Sequence, residues 1–329
     1  LLKLLFQLFI FFIHLILKKN RYLEHNIEKR KSNIYLTDEF LSLEEVKKQI
    51  YENNIIYIKT LFADNSKVGN SLVILRNLIN ICVKIRCKNI IVPSGLKTII
   101  KKPIKYKDKK ITIFPYSYKS KIKLDIKLKT RTIFSFQYSN SNENSLSIIR
   151  EEIIHNIPKF LTNINELIIK IRSGDIFIVN NYPNYSQPPL CFYQKIINEN
   201  KFEKIYILSN GHENPVVDNL LKIYPKIQYI EGSVNEAISM IIYSYNLVYS
   251  QSTFQSFLIP FNKNLQNLYI YEMNNYSFKN VNYIVHKMMP SLKYLQIMKN
   301  KWNNTQEQLD LMINEKCLNS TILSFQKRI

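Results

Sequence analysis

One stretch narrows the possible folds more than any other: residues 166–193, reading Glu-Leu-Ile-Ile-Lys-Ile-Arg-Ser-Gly-Asp-Ile-Phe and, after a polar loop, Tyr-Ser-Gln-Pro-Pro-Leu-Cys-Phe-Tyr. Leu167, Ile168, Ile169 and Ile171 make a short apolar run rich in β-branched side chains, the pattern of a parallel strand covered on both faces. Arg172, Ser173, Gly174 and Asp175 follow at its carboxyl end, where open α/β sheets place their ligands. A guanidinium there offers a fixed fork of donors suited to a diphosphate, and Gly174 permits a sharp turn. Pro188 and Pro189 precede a helix-compatible run, Leu190–Ile197, so the unit reads strand, polar loop, helix. A competing reading makes Arg172 and Asp175 a structural ion pair that braces the loop.

The rest of the chain repeats this alternation. In the first half, a strand at Ile55–Lys59 leads through a polar loop ending Val68-Gly69-Asn70 to an apolar helix from Leu72 to about Arg86, and Asn89–Pro93 closes a βαβ unit. Further strands are expected at Ile111–Phe114 and Thr132–Phe136, then a helix from about Ser145 to His155. In the second half come the strand Lys204–Leu208, the loop Ser209–Pro215, a helix through Leu221, a strand at Ile227–Ile230 and a helix from Val234 to Tyr245. A strand at Leu247–Tyr249 then ends in Ser250-Gln-Ser-Thr-Phe254, followed by an apolar helix and the strand Leu268–Tyr271. Strands alternating with helices indicate parallel sheets and an α/β class. Residues 289–302 and 305–317 have helical spacing, with the single Trp, Trp302, between them.

Three loops at strand ends therefore join Arg172 as candidates. Gly69 and Asn70 open a helix whose free N–H groups suit an anion, although Gly-Asn is also an ordinary turn. Ser250, Ser252 and Thr253 supply hydroxyls and helix-start N–H groups for phosphate oxygens, or else cap the helix. Ser209 and Asn210 occupy the corresponding position after the second strand of their unit.

The motif Lys170-Ile171-Arg172-Ser173-Gly174-Asp175 resembles the first motif of the fucosyltransferase-type glycosyltransferases, His-x-Arg-x-Gly-Asp or His-x-Arg-Arg-x-Asp. The loop ending Gly69-Asn70 and the patch Ser250–Phe254 resemble further motifs of that superfamily, and the likeness spans about residues 55–275. It implies a B-type glycosyltransferase fold, two Rossmann-like domains facing across a cleft, and contact between Arg172 and the diphosphate of a GDP-sugar. It also implies a nucleotide site drawn from Gly69, Asn70, Lys170, Arg172, Asp175, Ser209, Asn210, Ser250, Ser252, Thr253 and Phe254. Lys170 stands where the family has His, and Asn210 with Gly211 where an acid reads the guanine edge. The activity implied is metal-independent, inverting transfer of a sugar, fucose from GDP-fucose first, to a glycan or glycoprotein. The alternative is an inactive nucleotide- or carbohydrate-binding relative.

On this reading the chain divides into a membrane anchor (1–19), a polar stem (20–48) running into a short helix capped at Ser42–Glu45, an acceptor-side domain (49–160), a nucleotide-sugar domain (161–288) and a helical tail (289–329). Residues 1–17 are almost wholly apolar and span about 25 Å as a helix, enough for an uncleaved signal anchor. The lumen of the Golgi or endoplasmic reticulum is then the expected site of the catalytic domain. The formal charge of +21 comes largely from dispersed Lys. In Lys101–Lys129, Lys alternates with Ile, Tyr and Leu, as in strands with one solvated face, and no nucleic-acid signature accompanies it. Cys82, Cys87, Cys191 and Cys317 lack metal-ligand spacing, so no structural metal is expected; a lumenal domain leaves room for one or two disulfides, whose pairing the sequence does not give, and no cofactor beyond the donor is called for. His155, His212 and His286 lie in no catalytic motif. Four Asn-x-Ser/Thr sites, at Asn184, Asn275, Asn303 and Asn319, match the glycosylation pattern.

Overall fold

The computed structural model describes residues 33–36, 39–42, 57–61, 68–84, 89–92, 94–106, 111–117, 126–129, 149–154, 157–178, 185, 187–273, 282–299, 301–317 and 322–325. The chain forms two units: Leu1–Lys67 with Ser71–Ile149, and Val68–Asn70 with Arg150–Ile329. The apolar segment 1–17 and the strand expected at Thr132–Phe136 lie outside the described residues. Among the described residues no helix is long and apolar enough to cross a membrane.

The first unit is a mixed sheet. β1 (Asn33–Leu36) and β2 (Glu39–Ser42) pair antiparallel with Leu36 opposite Glu39. β3 (Tyr57–Leu61) precedes α1 (Val68–Lys84), and β4 (Asn89–Ile91) returns parallel to β3. β5 (Ile104–Tyr106), β6 (Ile111–Phe114) and β7 (Ile126–Lys129) complete the order β2-β1-β7-β3-β4-β6-β5. The four strands β7, β3, β4 and β6 are mutually parallel. α1 buries Leu72, Val73, Ile74, Leu75, Leu78, Ile79 and Cys82, so it is apolar around most of its circumference, as an interior helix must be.

One expectation is revised in this unit. Part of the stretch read as a polar stem is the β1–β2 hairpin, which joins the sheet through β7. Its signal is two short runs, Asn-Ile-Tyr-Leu and Glu-Phe-Leu-Ser, separated by two polar residues. Ser42 is the last residue of β2, and the helix expected after it, from Leu43 on, lies outside the described residues.

The second unit is built around β8 (Glu166–Lys170), every residue of which is buried. α2 (Asp175–Ile178), α3 (Leu190–Glu199), β9 (Lys204–Leu208), α4 (Pro215–Ile223), β10 (Gln228–Ile230), α5 (Val234–Tyr243), β11 (Asn246–Tyr249), α6 (Thr253–Leu258), β12 (Asn267–Tyr271) and β13 (Ile284–Met288) follow. The strand order is β10-β9-β8-β11-β12-β13-β14, parallel except for β14 (Ile322–Phe325), which runs antiparallel at the edge beside β13. Counted from β8, the parallel strands stand 3-2-1-4-5-6, the doubly wound nucleotide-binding order, and the order reverses between β8 and β11.

Strand alternation sends Leu167, Ile169 and Ile171 to one face, where they pack in a single core with Phe192, Tyr193 and Ile196 of α3, Val216 and Leu220 of α4, and Trp302. Ile168, Leu247 and Leu268 are buried with Ile238, Ile241 and Ile242 of α5 and Phe257 and Leu258 of α6, a set outside that core that serves the opposite face. Helices on both faces explain why the strands read as unbroken apolar runs.

The tail folds as α7 (Leu292–Met298) and α8 (Gln306–Asn314). It secures the segment between α2 and α3 at both ends. Trp302 Nε1 donates to Ile176 O at 2.8 Å, and Asn304 Nδ2 donates to Phe177 O, which satisfies carbonyls that a one-turn helix leaves open. Tyr294 Oη donates to Gln187 O at 2.5 Å, and a disulfide joins Cys191 of α3 to Cys317 beyond α8. Cys82 is also disulfide-bonded.

Candidate functional site

The site grows from the ends of β8 and its two neighbours. Ile169 pairs with Val248 of β11 and Lys170 with Leu208 of β9, so the loops after all three strands emerge side by side. Arg172 thus stands beside the point where strand order reverses, with the Ser250–Phe254 turn after β11 as its neighbour.

Arg172 Nη2 donates to Asp175 Oδ1 at 2.6 Å, with side chains 17% and 25% exposed. The bracing pair weighed from sequence is therefore formed. It leaves most of the guanidinium uncommitted: Nε is buried and has no hydrogen-bond partner among the described residues. The Tyr185 ring lies 5.8 Å from the guanidinium carbon, within cation–π range.

Lys170, the last residue of β8, is buried. Its Nζ donates to the carbonyls of Ile171 and Leu208 at 3.2 and 3.3 Å. Burial, then the nearby Arg172 charge, lowers its pKa to about 8. The four apolar side chains of the strand run, at about 2 kcal/mol each, outweigh the cost of burying this ammonium, about 3 kcal/mol for such a shift. Lys170 therefore binds main chain at the strand end.

The loop after β9 wraps the Arg172 turn. Ser173, fully buried, donates through Oγ to Glu213 Oε2 at 2.8 Å and accepts from Asn214 N at 3.0 Å. Gly174 N donates to the same carboxylate oxygen at 3.0 Å, and Asn214 Nδ2 donates to Arg172 O at 2.9 Å. Gly174 has φ 72°, in the left-handed region, and a Cβ there would meet Asn210 Nδ2 at 2.6 Å. Asn210 Nδ2 reaches Ser173 O at 3.4 Å, and Ser209 Oγ donates to Gly211 O at 2.9 Å. The Glu213 carboxyl is held below its usual range, by its own backbone N–H first, then by the Ser173 hydroxyl.

After β11, Gln255 organises the turn. Its Oε1 accepts from Ser250 N at 2.8 Å and from Ser250 Oγ at 3.3 Å, and its Nε2 donates to Val248 O at 2.9 Å. Ser252 Oγ accepts from Gln255 N at 3.1 Å as the N-cap of α6. Helix capping, the competing role, is thus what the Ser252 hydroxyl oxygen does. Thr253 and Phe254 are half-buried in the first turn. The first turn of α1, Val68–Asn70, belongs to this unit, and there Gly69 meets Phe254: a Cβ on Gly69 would lie 2.6 Å from Phe254 N and 2.7 Å from its Cα. Asn70 beside it is half-buried.

Sequence reasoning missed Glu213, Asn214, Tyr185 and Gln255. Asn214 before Pro215 carried a legible signal, an N-cap with Pro at the first helical position, and its side chain does accept from Val216 N. His212 and His286 make structural contacts. His212 is exposed and pairs with Asp218 at 2.5 Å, and His286 stacks on Tyr269, its pKa lowered by burial. His155 lies outside the described residues. Among them, no group of three His, Cys, Asp or Glu side chains could hold a metal ion.

No family model matches the sequence, and comparison with curated proteins gives no match. Among solved structures, the E. coli heptosyltransferase WaaC with ADP-2-deoxy-2-fluoro heptose is similar at 11% identity and a TM-score of 0.41, over 79% of this chain and 99% of that one. So slight a likeness assigns the chain to no family.

Proposed function

We propose that this chain is a glycosyltransferase of fucosyltransferase type that takes a nucleotide-diphosphate sugar, GDP-fucose first among them, and transfers the sugar to a glycan or glycoprotein. The observation that carries the reading is the reversal of strand order between β8 and β11, with Arg172 at the end of one strand and Ser250–Phe254 at the end of the other. A nucleotide diphosphate seated there meets the guanidinium, whose buried Nε lacks a partner among the described residues. Arg172 then neutralises charge that develops on the leaving diphosphate as the acceptor hydroxyl attacks, the service a metal performs in other transferases. Inversion follows if the hydroxyl attacks the face opposite the leaving group.

Residues 1–17 serve in this reading as a membrane anchor for a lumenal domain. The Cys191–Cys317 disulfide supports that placement, since such bonds persist in oxidising compartments. A second reading, an inactive binding relative, is favoured by one observation: the Arg172 ion pair with Asp175 already uses part of the guanidinium.

Binding of GDP, UDP and GDP-fucose to the soluble chain tests the proposal, with Arg172→Ala alongside. Loss of a charge-assisted contact should weaken binding about ten- to a hundredfold. GDP binding together with fucose transfer or slow GDP-fucose hydrolysis supports the enzyme, and GDP binding without turnover favours the inactive relative. Absence of binding at millimolar nucleotide defeats the enzyme and leaves the inactive, carbohydrate-binding relative.

A further inference from the structure

Glu213 is an odd residue to find beside a turn meant for an anion, because a carboxylate there repels the ligand. Its surroundings supply the reason. One oxygen, Oε2, accepts from both Ser173 Oγ and Gly174 N, donors that are buried at the end of the central strand. Asn214, the next residue, fixes Arg172 O with its side chain and Ser173 Oγ with its N–H. Three consecutive residues of the Arg172 turn are therefore held by two consecutive residues of the neighbouring loop.

Gly211 makes this possible. It has φ 132°, and a Cβ on it would lie 2.2 Å from Glu213 Oε2, so only a glycine leaves room for the carboxylate to fold back over the turn. The acid absent from Asn210-Gly211 stands two residues further on, turned toward main chain and hydroxyl donors.

We infer that Glu213 is a positioning residue that holds the Arg172–Gly174 turn and so aims the Arg172 guanidinium at the diphosphate of a nucleotide ligand; the inference rests on the proposed function. Main-chain groups of a turn set the direction of its side chains, and a displacement of about 1 Å in a charged contact costs much of its strength. Glu213 thus contributes to binding through Arg172 without touching the ligand.

A double-mutant cycle tests this, with binding of GDP, inorganic pyrophosphate and guanosine measured by calorimetry on wild type, Glu213→Ala, Glu213→Gln, Arg172→Ala and the Glu213→Ala/Arg172→Ala pair. Glu213→Ala should weaken GDP and pyrophosphate about tenfold and leave guanosine unchanged, and should add nothing once Arg172 is gone, as coupled residues behave. Glu213→Gln keeps a carbonyl that accepts from Ser173 and Gly174, and should recover most of the lost affinity. Melting temperatures of all variants separate misfolding from mispositioning, since a loosened fold weakens all three ligands together. Unchanged GDP binding in Glu213→Ala, additive losses in the pair, equal losses for guanosine, or failure of Gln to rescue would each overturn the inference while the proposed function stands. A wild type that binds neither GDP nor pyrophosphate overturns the proposed function itself, and the inference with it.

Discussion

Lys170→Met gives the most direct measure of the site's electrostatics. The ammonium is buried at the end of the central strand, and its pKa is lowered from 10.5 to about 8, by burial first and Arg172 second. Below about pH 8 both folded and unfolded chains carry the charge, so the full penalty applies. Between about pH 8 and 10.5 the unfolded chain binds a proton that the folded chain does not, and stability rises with pH. The shift of roughly 2.5 units corresponds to about 3 kcal/mol in all, of which about 2 kcal/mol is relieved between about pH 7.5 and 9.5. Absolute stabilities decide less, because Met removes the penalty but also two charge-assisted hydrogen bonds to carbonyls, and these terms are of similar size. Urea unfolding of wild type and Lys170→Met at both pH values isolates the slope, and the buried tyrosines cancel in the difference. Wild type should gain about 2 kcal/mol on the variant over that interval. A difference constant to within about 0.5 kcal/mol, or a change of opposite sign, refutes a buried, proton-shedding Lys170.

Three further outcomes are expected. Gly69→Ala, which in an exposed helix would stabilise by up to about 1 kcal/mol, should instead cost about 1–3 kcal/mol in chemical denaturation because its Cβ meets Phe254 main chain. Trp302→Phe leaves Ile176 O without its donor and should lower stability by about 1–3 kcal/mol, with faster amide exchange in peptides covering residues 176–187; unchanged exchange would detach the tail from that segment. Replacing Cys191 and Cys317 together by Ser opens a link of sequence separation 126 and should cost about 5 kcal/mol by the chain-entropy argument, read as a lower urea midpoint under non-reducing conditions.

Much of the second unit was legible because its elements announce themselves locally. The run Leu167–Ile171 is rich in β-branched side chains, Lys204–Leu208 is a strand as read, and Leu190 opens α3 directly after Pro188-Pro189. Arg172 was visible because a cation directly after a buried strand has few structural reasons to be there. The edge strand β14 was not anticipated, since four residues after a helical tail have no local signal to distinguish them from coil. Glu213 was hidden for a different reason: its partners Ser173 and Gly174 lie about forty residues earlier, and only the register Lys170 opposite Leu208 brings the loops together. Ser252 shows the reverse difficulty, since one hydroxyl pattern serves phosphate binding and helix capping equally, and residue type alone cannot choose.

The tail's hold on the segment after α2 also sets an order in time. Ile176 waits for Trp302 and Cys191 for Cys317, both 126 residues later. At about 5–20 residues per second, that is on the order of ten seconds of synthesis during which α2 and α3 exist but the segment between them is tied at neither end. Throughout that interval Cys191 has no native partner in existence. The second unit is consequently completed late in synthesis, by residues that lie far along the chain from the motif they secure.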